Sequence, residues 1–467
     1  MPLCPRAYKP RSDTKIYTIR LYEWRIKYEN RAVTSSGKSN AGLEPRVRWL
    51  FLDLNSYFAS VEQELRPELR NRPVAVVPLM ADTTFCIAAS YEAKAFKVKT
   101  GTQVGEARRM CPGIELVEAR HELYVDYHKR IIAAVETCVP VSTVMSIDEM
   151  ACSLIGREQP LMAALDLARR VKETIQRDVG STLRCSVGLA PNRYLAKIAS
   201  DMEKPDGLVA LTPDILATAL KQLELRDLPG VGARMEKHLH DRGIRTMKQL
   251  LALDHEKLSE VWGGVGGEKL YHWLRGEDFN DPKLEHQKSI SQSHMLPPEF
   301  RTRDGAYAIA HKLLHKAAMR LRAAHLWTTN VSLSVKFVVP KEIAKKRHLS
   351  GIPQSGWSRG MTVIECQDNQ TLVEALCKLW AEMPQGEQYQ KPFFVGVWLG
   401  NLVPDHLHTL SLFSSLESES RRTRLSTTMD TLNQKYGLDT LFPASMLLAK
   451  AAAPTRIAFT SIPDLFE

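Results

Sequence analysis

A short apolar run, Trp49-Leu50-Phe51-Leu52, ends on an acid, Asp53. Two more acids, Asp148 and Glu149, interrupt the strand-like stretch Met145-Ser146-Ile147-Asp148-Glu149-Met150. The first run reads as a buried strand. Successive residues on a regular strand face opposite sides, so Asp148 and Glu149 act together only at a strand end or a distortion. The pattern calls for a sheet whose strand ends gather carboxylates. Such a cluster suits hard divalent cations, because Mg²⁺ prefers oxygen ligands and keeps positions open for phosphates. An isolated Asp-Glu pair is ordinary solvated surface; the surrounding strands argue for more.

From Val47 the pattern runs strand, then helix, with Ser56 placed to cap a helix over Tyr57–Leu65. Short strands are expected at Val74–Val77 and residues 86–89, 144–147, 150–154 and 184–189, with an amphipathic helix over 161–177. This is an α+β core with a mixed or antiparallel sheet. Residues 212–280 are helical with two glycine turns, and 288–403 read β-α-β-β-α-β. The strands there are Ser289–Met295, 331–339, 358–365 and 393–399, and the helices 304–324 and 371–383. Residues 1–47 read as a basic extension ending in a Ser/Gly-rich linker, and 404–467 as a polar tail with one more helix.

A chain of 467 residues exceeds what one core supports. Its net charge of +10 is concentrated in residues 1–47 and 285–403, whereas the acid-bearing middle is nearly neutral. A separate basic module suggests a polyanion gripped by one domain and worked on by another. No apolar run is long enough to span a membrane, and the N-terminus lacks the apolar core of a secretory signal. The eight cysteines form no CxxC pair, which disfavours structural zinc and suits reduced thiols in a cytoplasmic compartment.

The run from Asp53 to Glu62, followed by Ser146-Ile147-Asp148-Glu149, resembles the Y-family DNA polymerases, most closely the DinB or DNA polymerase IV branch. Ser90-Tyr91-Glu92-Ala93-Lys94, the run from Cys185 to Asn192 and the run from Leu195 to Gly207 continue the likeness in order. The resemblance implies a right-hand, multidomain polymerase. Its palm would take residues 48–56 and 120–211, its fingers 57–119 and its helical thumb 212–280; a linker at 281–287 leads to a little finger over 288–403. It further implies template-directed, error-prone synthesis across damaged templates without a proofreading exonuclease. Two Mg²⁺ ions, or Mn²⁺ in their place, would sit on Asp53, Asp148, Glu149 and the Leu54 carbonyl. The nucleotide would meet Tyr57, Phe58 as steric gate under the sugar, and Tyr91, Lys94 and Lys204 at the phosphates. Lys94 stands where the family has Arg, losing the bidentate fork, and Asn55 stands where many members carry Asp.

Leu228-Pro229-Gly230-Val231-Gly232 reads as a helix-hairpin-helix turn, with Gly230 and Gly232 presenting backbone N–H groups to phosphate oxygens. Trp262-Gly263-Gly264-Val265-Gly266-Gly267 is a looser version. Arg301, Arg303, Lys336, Lys345, Lys346 and Arg347 are the DNA-contact candidates of the basic module. Leu410, Leu412 and Phe413, after Thr409, resemble a sliding-clamp peptide. Expected partners are therefore primer-template DNA, deoxynucleoside triphosphates and a clamp, with the chain itself monomeric. The alternative of a different class is a catalytically silent, polymerase-like scaffold that binds DNA and a clamp.

Overall fold

The computed structural model describes residues 44–82, 84–279, 288–339, 354–409, 416–437, 439–450 and 452. These fall into two compact units, divided between Asn280 and Asp281. The 281–287 linker, Lys345, Lys346 and Arg347, and the Leu410, Leu412, Phe413 peptide lie outside the described residues.

The first unit is built on a five-stranded sheet in the order β5-β6-β1-β7-β8. Its strands are β1 (Trp49–Leu54), β5 (Thr143–Val144), β6 (Glu149–Ser153), β7 (Cys185–Ala190) and β8 (Leu208–Ala210). All pairings are antiparallel except β7 with β8. Alternation along β1 divides the interior. Leu50, Leu52 and Leu54 enter one core with helices α1 (Tyr57–Leu65), α4 (His121–Glu136) and α5 (Leu161–Asp178). Phe51 enters a second core with α6 (Arg193–Met202) and the helices that follow. A smaller three-stranded sheet, β3-β2-β4, joins β2 (Val74–Val77), β3 (Ala88–Ala89) and β4 (Glu115–Glu118). It is flanked by α2 (Tyr91–Ala95) and α3 (Val104–Met110).

Helices α7 (Pro213–Leu220), α8 (Ala233–Asp241), α9 (Met247–Leu251), α10 (His255–Trp262) and α11 (Val265–Leu274) complete this unit. Both glycine turns fall between helices. Asn192 ties them to the sheet: its side-chain oxygen caps α6 at Leu195 N, and its Nδ2 donates to the Trp273 and Glu277 carbonyls at 2.8 and 2.9 Å.

The second unit is a four-stranded antiparallel sheet, β11-β10-β12-β9, with β9 (Ser289–Met295), β10 (Leu326–Val338), β11 (Gln354–Cys366) and β12 (Pro392–Pro404). Helices α12 (Arg303–Ala323) and α13 (Asn369–Ala381) fill its core, their N-termini capped by Thr302 and Asp368. The β-α-β-β-α-β order is as expected.

Several expectations need correcting. Residues 44–47, read as the end of an extension, are docked: Val47 is buried, its N–H donates to the Gln159 carbonyl at 2.9 Å, and Arg46 bridges to Pro160. Ser56 occupies the cap position of α1 but makes no cap bond, because its left-handed backbone (φ 51°) turns the hydroxyl elsewhere. The 144–147 strand ends at Val144, leaving residues 145–148 as a turn. The helix expected in the polar tail is present as α14 (Leu416–Tyr436), but the tail is also docked, with Asp430 and Asp439 paired to Arg322 and Lys312 of α12 at 2.5 and 2.7 Å.

Candidate active site

Register brings the acids together. Asp53 on β1 lies directly opposite Glu149, the first residue of β6. Its side chain shares the Phe51 face, which is the face α6 covers. Asp148 falls in the turn before β6, where the Ser146 hydroxyl donates to its carboxylate and its carbonyl accepts from Leu54 N at 2.8 Å. The adjacent acids can therefore point the same way: one is on a strand, the other is not.

Two lysines converge on the cluster. Lys197 Nζ lies 2.6 Å from Asp53, 2.7 Å from Glu149 and 3.1 Å from Asp201. Lys204 Nζ lies 2.7 Å from Asp53 and 2.8 Å from Asp201. Burial works to raise the Asp53 carboxyl, but Lys204 and Lys197 override it and hold it below the usual carboxylate range. Burial pushes Asp148 up, and it pushes Glu149 up despite Lys197. Negative charge at those acids is thus under-compensated by the lysines. An all-oxygen donor set in that condition fits hard divalent cations. Leu54 buries its side chain in the core and has only its backbone to offer.

Asn55 is buried beside the acids but turned away from them. Its Nδ2 donates to Ser186 Oγ at 3.1 Å, and its Oδ1 accepts from Asp206 N at 2.6 Å. The residue tethers the segment after α6 to β1 and β7.

The nucleotide candidates line up on α1 and α2. Phe58 stacks on Tyr124, ring centroids 4.3 Å apart at 15°. The Tyr124 hydroxyl donates to Glu62 at 2.8 Å. Glu62 is fully buried and also accepts from Arg66 and Arg120. Burial works to raise this carboxyl, but the hydrogen bonds from Arg120, Tyr124 and Arg66 hold it below the ordinary range. Tyr124, Glu62, Arg120 and Asp201 were not singled out from sequence. Tyr57 packs in the core, its hydroxyl donating to the Tyr124 carbonyl at 2.6 Å, so only its backbone remains for a ligand. Lys94 Nζ sits 4.2 Å over the Tyr91 ring and donates to Ser56 Oγ at 2.7 Å. Burial and Lys204 push the Lys94 ammonium down to about 8, against the pull of Asp53.

Gly230 has φ +90° and precedes Val231-Gly232, with Gly232 at the N-terminus of α8. A Cβ at either glycine would meet no atom within 4 Å, so this backbone is open to approach. In the second unit Arg301 and Arg303 donate to the Leu296 and Met383 carbonyls, at 3.0 and 3.3 Å. Lys336 is exposed on the outer face of β10 and lies 5.0 Å from the Phe394 ring centroid.

Residues 52–201 match the impB/mucB/samB family and residues 287–412 its C-terminal domain; residues 226–278 match the DNA polymerase-iota thumb domain. DNA polymerase IV of Moorella thermoacetica is 34% identical over 396 residues, covering 83% of this chain and 93% of that protein. DNA polymerase IV of Pelotomaculum thermopropionicum is 31% identical over 403 residues, covering 85% and 95%. Among solved structures, a Y-family DNA polymerase chimera of Dbh and Dpo4 matches with a TM-score of 0.62 at 22% identity, over 76% of this chain and 99% of that one. The insertion ternary complex of Dbh DNA polymerase matches with a TM-score of 0.51 at the same identity and coverage.

Proposed function

The chain belongs to the Y-family translesion DNA polymerases, in the DinB or DNA polymerase IV branch, and from that premise we propose how its residues divide the work. The activity is template-directed addition of deoxynucleotides to a primer 3′ end, of the error-prone translesion type. The carrying observation is the carboxylate cluster: Asp53 opposite Glu149, with Asp148 beside them in the turn. Asp53, Asp148 and Glu149, with the Leu54 backbone carbonyl, would hold the divalent cations. Bound there, the cations would activate the primer hydroxyl and hold the triphosphate.

The chain's own groups complete the assignment. Lys204 and Lys197 offset the charge of Asp53, and Lys204 would also meet phosphate. Tyr91 and Lys94 receive the β- and γ-phosphates, with Lys94 acting as a point charge. Phe58 closes the pocket under the sugar. Gly230 and Gly232, with Lys336, Arg301 and Arg303, grip the duplex through its phosphates. Synthesis proceeds without proofreading, in the cytoplasm and, in a bacterial cell, at the nucleoid, by a monomer that the 410–413 peptide recruits to a clamp. No described helix is long and apolar enough to cross a membrane.

Primer extension with Mg²⁺ on plain and lesion-bearing templates tests the assignment. Asp148→Ala should lose on the order of 10²–10³ in rate, the usual cost of one charge-stabilising group at a reacting centre. Near-normal extension by that variant would remove the acids from the chemistry. A mismatched primer end should be extended or left, and its excision would overturn the claim of no proofreading.

A further inference from the structure

The catalytic acids are not the chain's one gathering of metal-ligating groups. Three others meet in the helical part of the first unit: His255, Glu268 and His272 bring one ligand atom each within 4.8 Å of one another. His255 opens α10, directly behind the capping Asp254. Glu268 and His272 lie one turn apart on α11, on the face turned toward it. The His255 Nε2 is 3.8 Å from the Glu268 carboxylate, and the His255 and His272 rings are 5.7 Å apart, centroid to centroid.

Close packing makes this meeting possible. Gly267 faces α10 so tightly that a Cβ there would stand 2.4 Å from the Leu258 carbonyl oxygen. The second glycine turn, Gly263 at φ +100° and Gly264 at φ +53°, reverses the chain between the two helices. A fourth residue then sets the ring of His272. The Glu277 carboxylate engages its Nδ1, which leaves Nε2 as the nitrogen open to an ion. Glu277 is itself fixed, because its carbonyl accepts from Asn192 Nδ2 at 2.9 Å. A carboxylate behind a ligating imidazole is the usual orienting partner in zinc-class sites.

We propose that His255, Glu268 and His272 form a second metal site, specific for a divalent transition ion of the zinc class, that clamps α10 to α11. The donor chemistry separates it from the catalytic cluster. Two imidazoles with one carboxylate select Zn²⁺, Co²⁺ or Ni²⁺, whereas an all-oxygen set selects Mg²⁺. Half-burial of all three ligands leaves a coordination position for water. With Zn–N and Zn–O bonds of about 2.0–2.2 Å, tetrahedral binding draws the ligand atoms to roughly 3.3 Å apart. Rotation of the His255 ring and of the Glu268 side chain toward the fixed His272 ring supplies that contraction. The site is invisible to cysteine spacing because it contains no cysteine.

The test uses the full chain, stripped of metal and returned to excess Mg²⁺ so that the catalytic acids are saturated. Zn²⁺ is then titrated in competition with a chromophoric chelator. Wild type and Asp148→Ala should each take up one tight Zn²⁺ per chain. His272→Ala should lose it. Glu268→Gln, which keeps side-chain shape and so the helix packing, should bind at least about tenfold more weakly, as should Glu277→Gln. Co²⁺ in place of Zn²⁺ should give the intense visible bands of a four-coordinate imidazole site in wild type and not in His272→Ala. Equal Zn²⁺ affinity in wild type and Glu268→Gln would overturn the site. So would loss of the tight ion in Asp148→Ala, which would put the zinc on the catalytic carboxylates.

Discussion

Phe58, the residue proposed as the gate under the sugar, does not stand alone. It lies flat on Tyr124, whose hydroxyl is held by a buried Glu62 that also accepts from Arg66 and Arg120. A stacked, tethered partner restricts where the Phe58 ring can go, and a gate must not yield to one extra oxygen. Phe58→Ala should therefore raise ribonucleotide use relative to deoxynucleotide use by roughly 10- to 200-fold, the range one pocket contact commands. Steady-state incorporation of the two sugars opposite one template base measures it. Unchanged selectivity would remove Phe58 from the role. Phe58 could be singled out in the chain because a neighbouring motif gave it context. Glu62 sat in the same motif without a role, since Arg120 and Tyr124 lie some sixty positions away and nothing local pairs them.

At the scale of elements, the site is a consequence of two packings. Antiparallel register sets Asp53 against Glu149, and a one-residue slip would turn one of them to the opposite face. The second packing is α6 on β7. A Cβ on Gly188 would stand 2.0 Å from the Ala196 carbonyl oxygen and 2.4 Å from Ser200 N, so only glycine lets Lys197 reach the acids. Gly188→Ala should push α6 off the sheet, costing about 3 kcal/mol or more. Urea unfolding should show a lower midpoint, and primer extension should fall with it. A midpoint equal to wild type would mean that α6 yields without cost. Most elements were legible from periodicity, and the strand Ser289–Met295 and helix Tyr57–Leu65 match their expected limits. Strand β10 begins five residues earlier than expected, at Leu326, because the polar Thr328-Thr329-Asn330 breaks the alternation while β12 still pairs alongside it to Pro404. The acid pair was correctly required to straddle a strand end; that Asp148 occupies the turn could not be read from spacing.

Across the whole molecule, charge is divided by task. The acids and their lysines belong to the first unit, and the basic stretch 285–403 to the second. On β10 the inward residues Val331, Leu333, Val335 and Phe337 are buried, while Ser332, Ser334 and Lys336 alternate outward beside Gly360, Gly396 and Gly356. The same face carries the half-buried Phe394 and Trp398 rings, and Lys336 is exposed beside Phe394 where it can meet a phosphate. Lys336→Ala should weaken primer-template binding and lower the salt slope, log Kd against log salt, by about 1. A slope equal to wild type would take Lys336 off the duplex. Composition and motif order were enough to propose the chemistry, with three carboxylates for hard cations, an aromatic under a sugar and glycine turns for phosphates, and to divide the chain into a nearly neutral acid-bearing part and a basic part. Residue type is a local property, and each of these readings needed only local pattern. Only the tertiary structure decided which groups meet: Lys197 and Lys204 on Asp53, Asn55 turned from the acids, Glu62 under Arg120, and His255 facing Glu268 and His272 across a tight helix pair. The reason is physical. Those distances are set by strand register and by the closeness of glycine contacts, and neither is carried by the residues that finally touch.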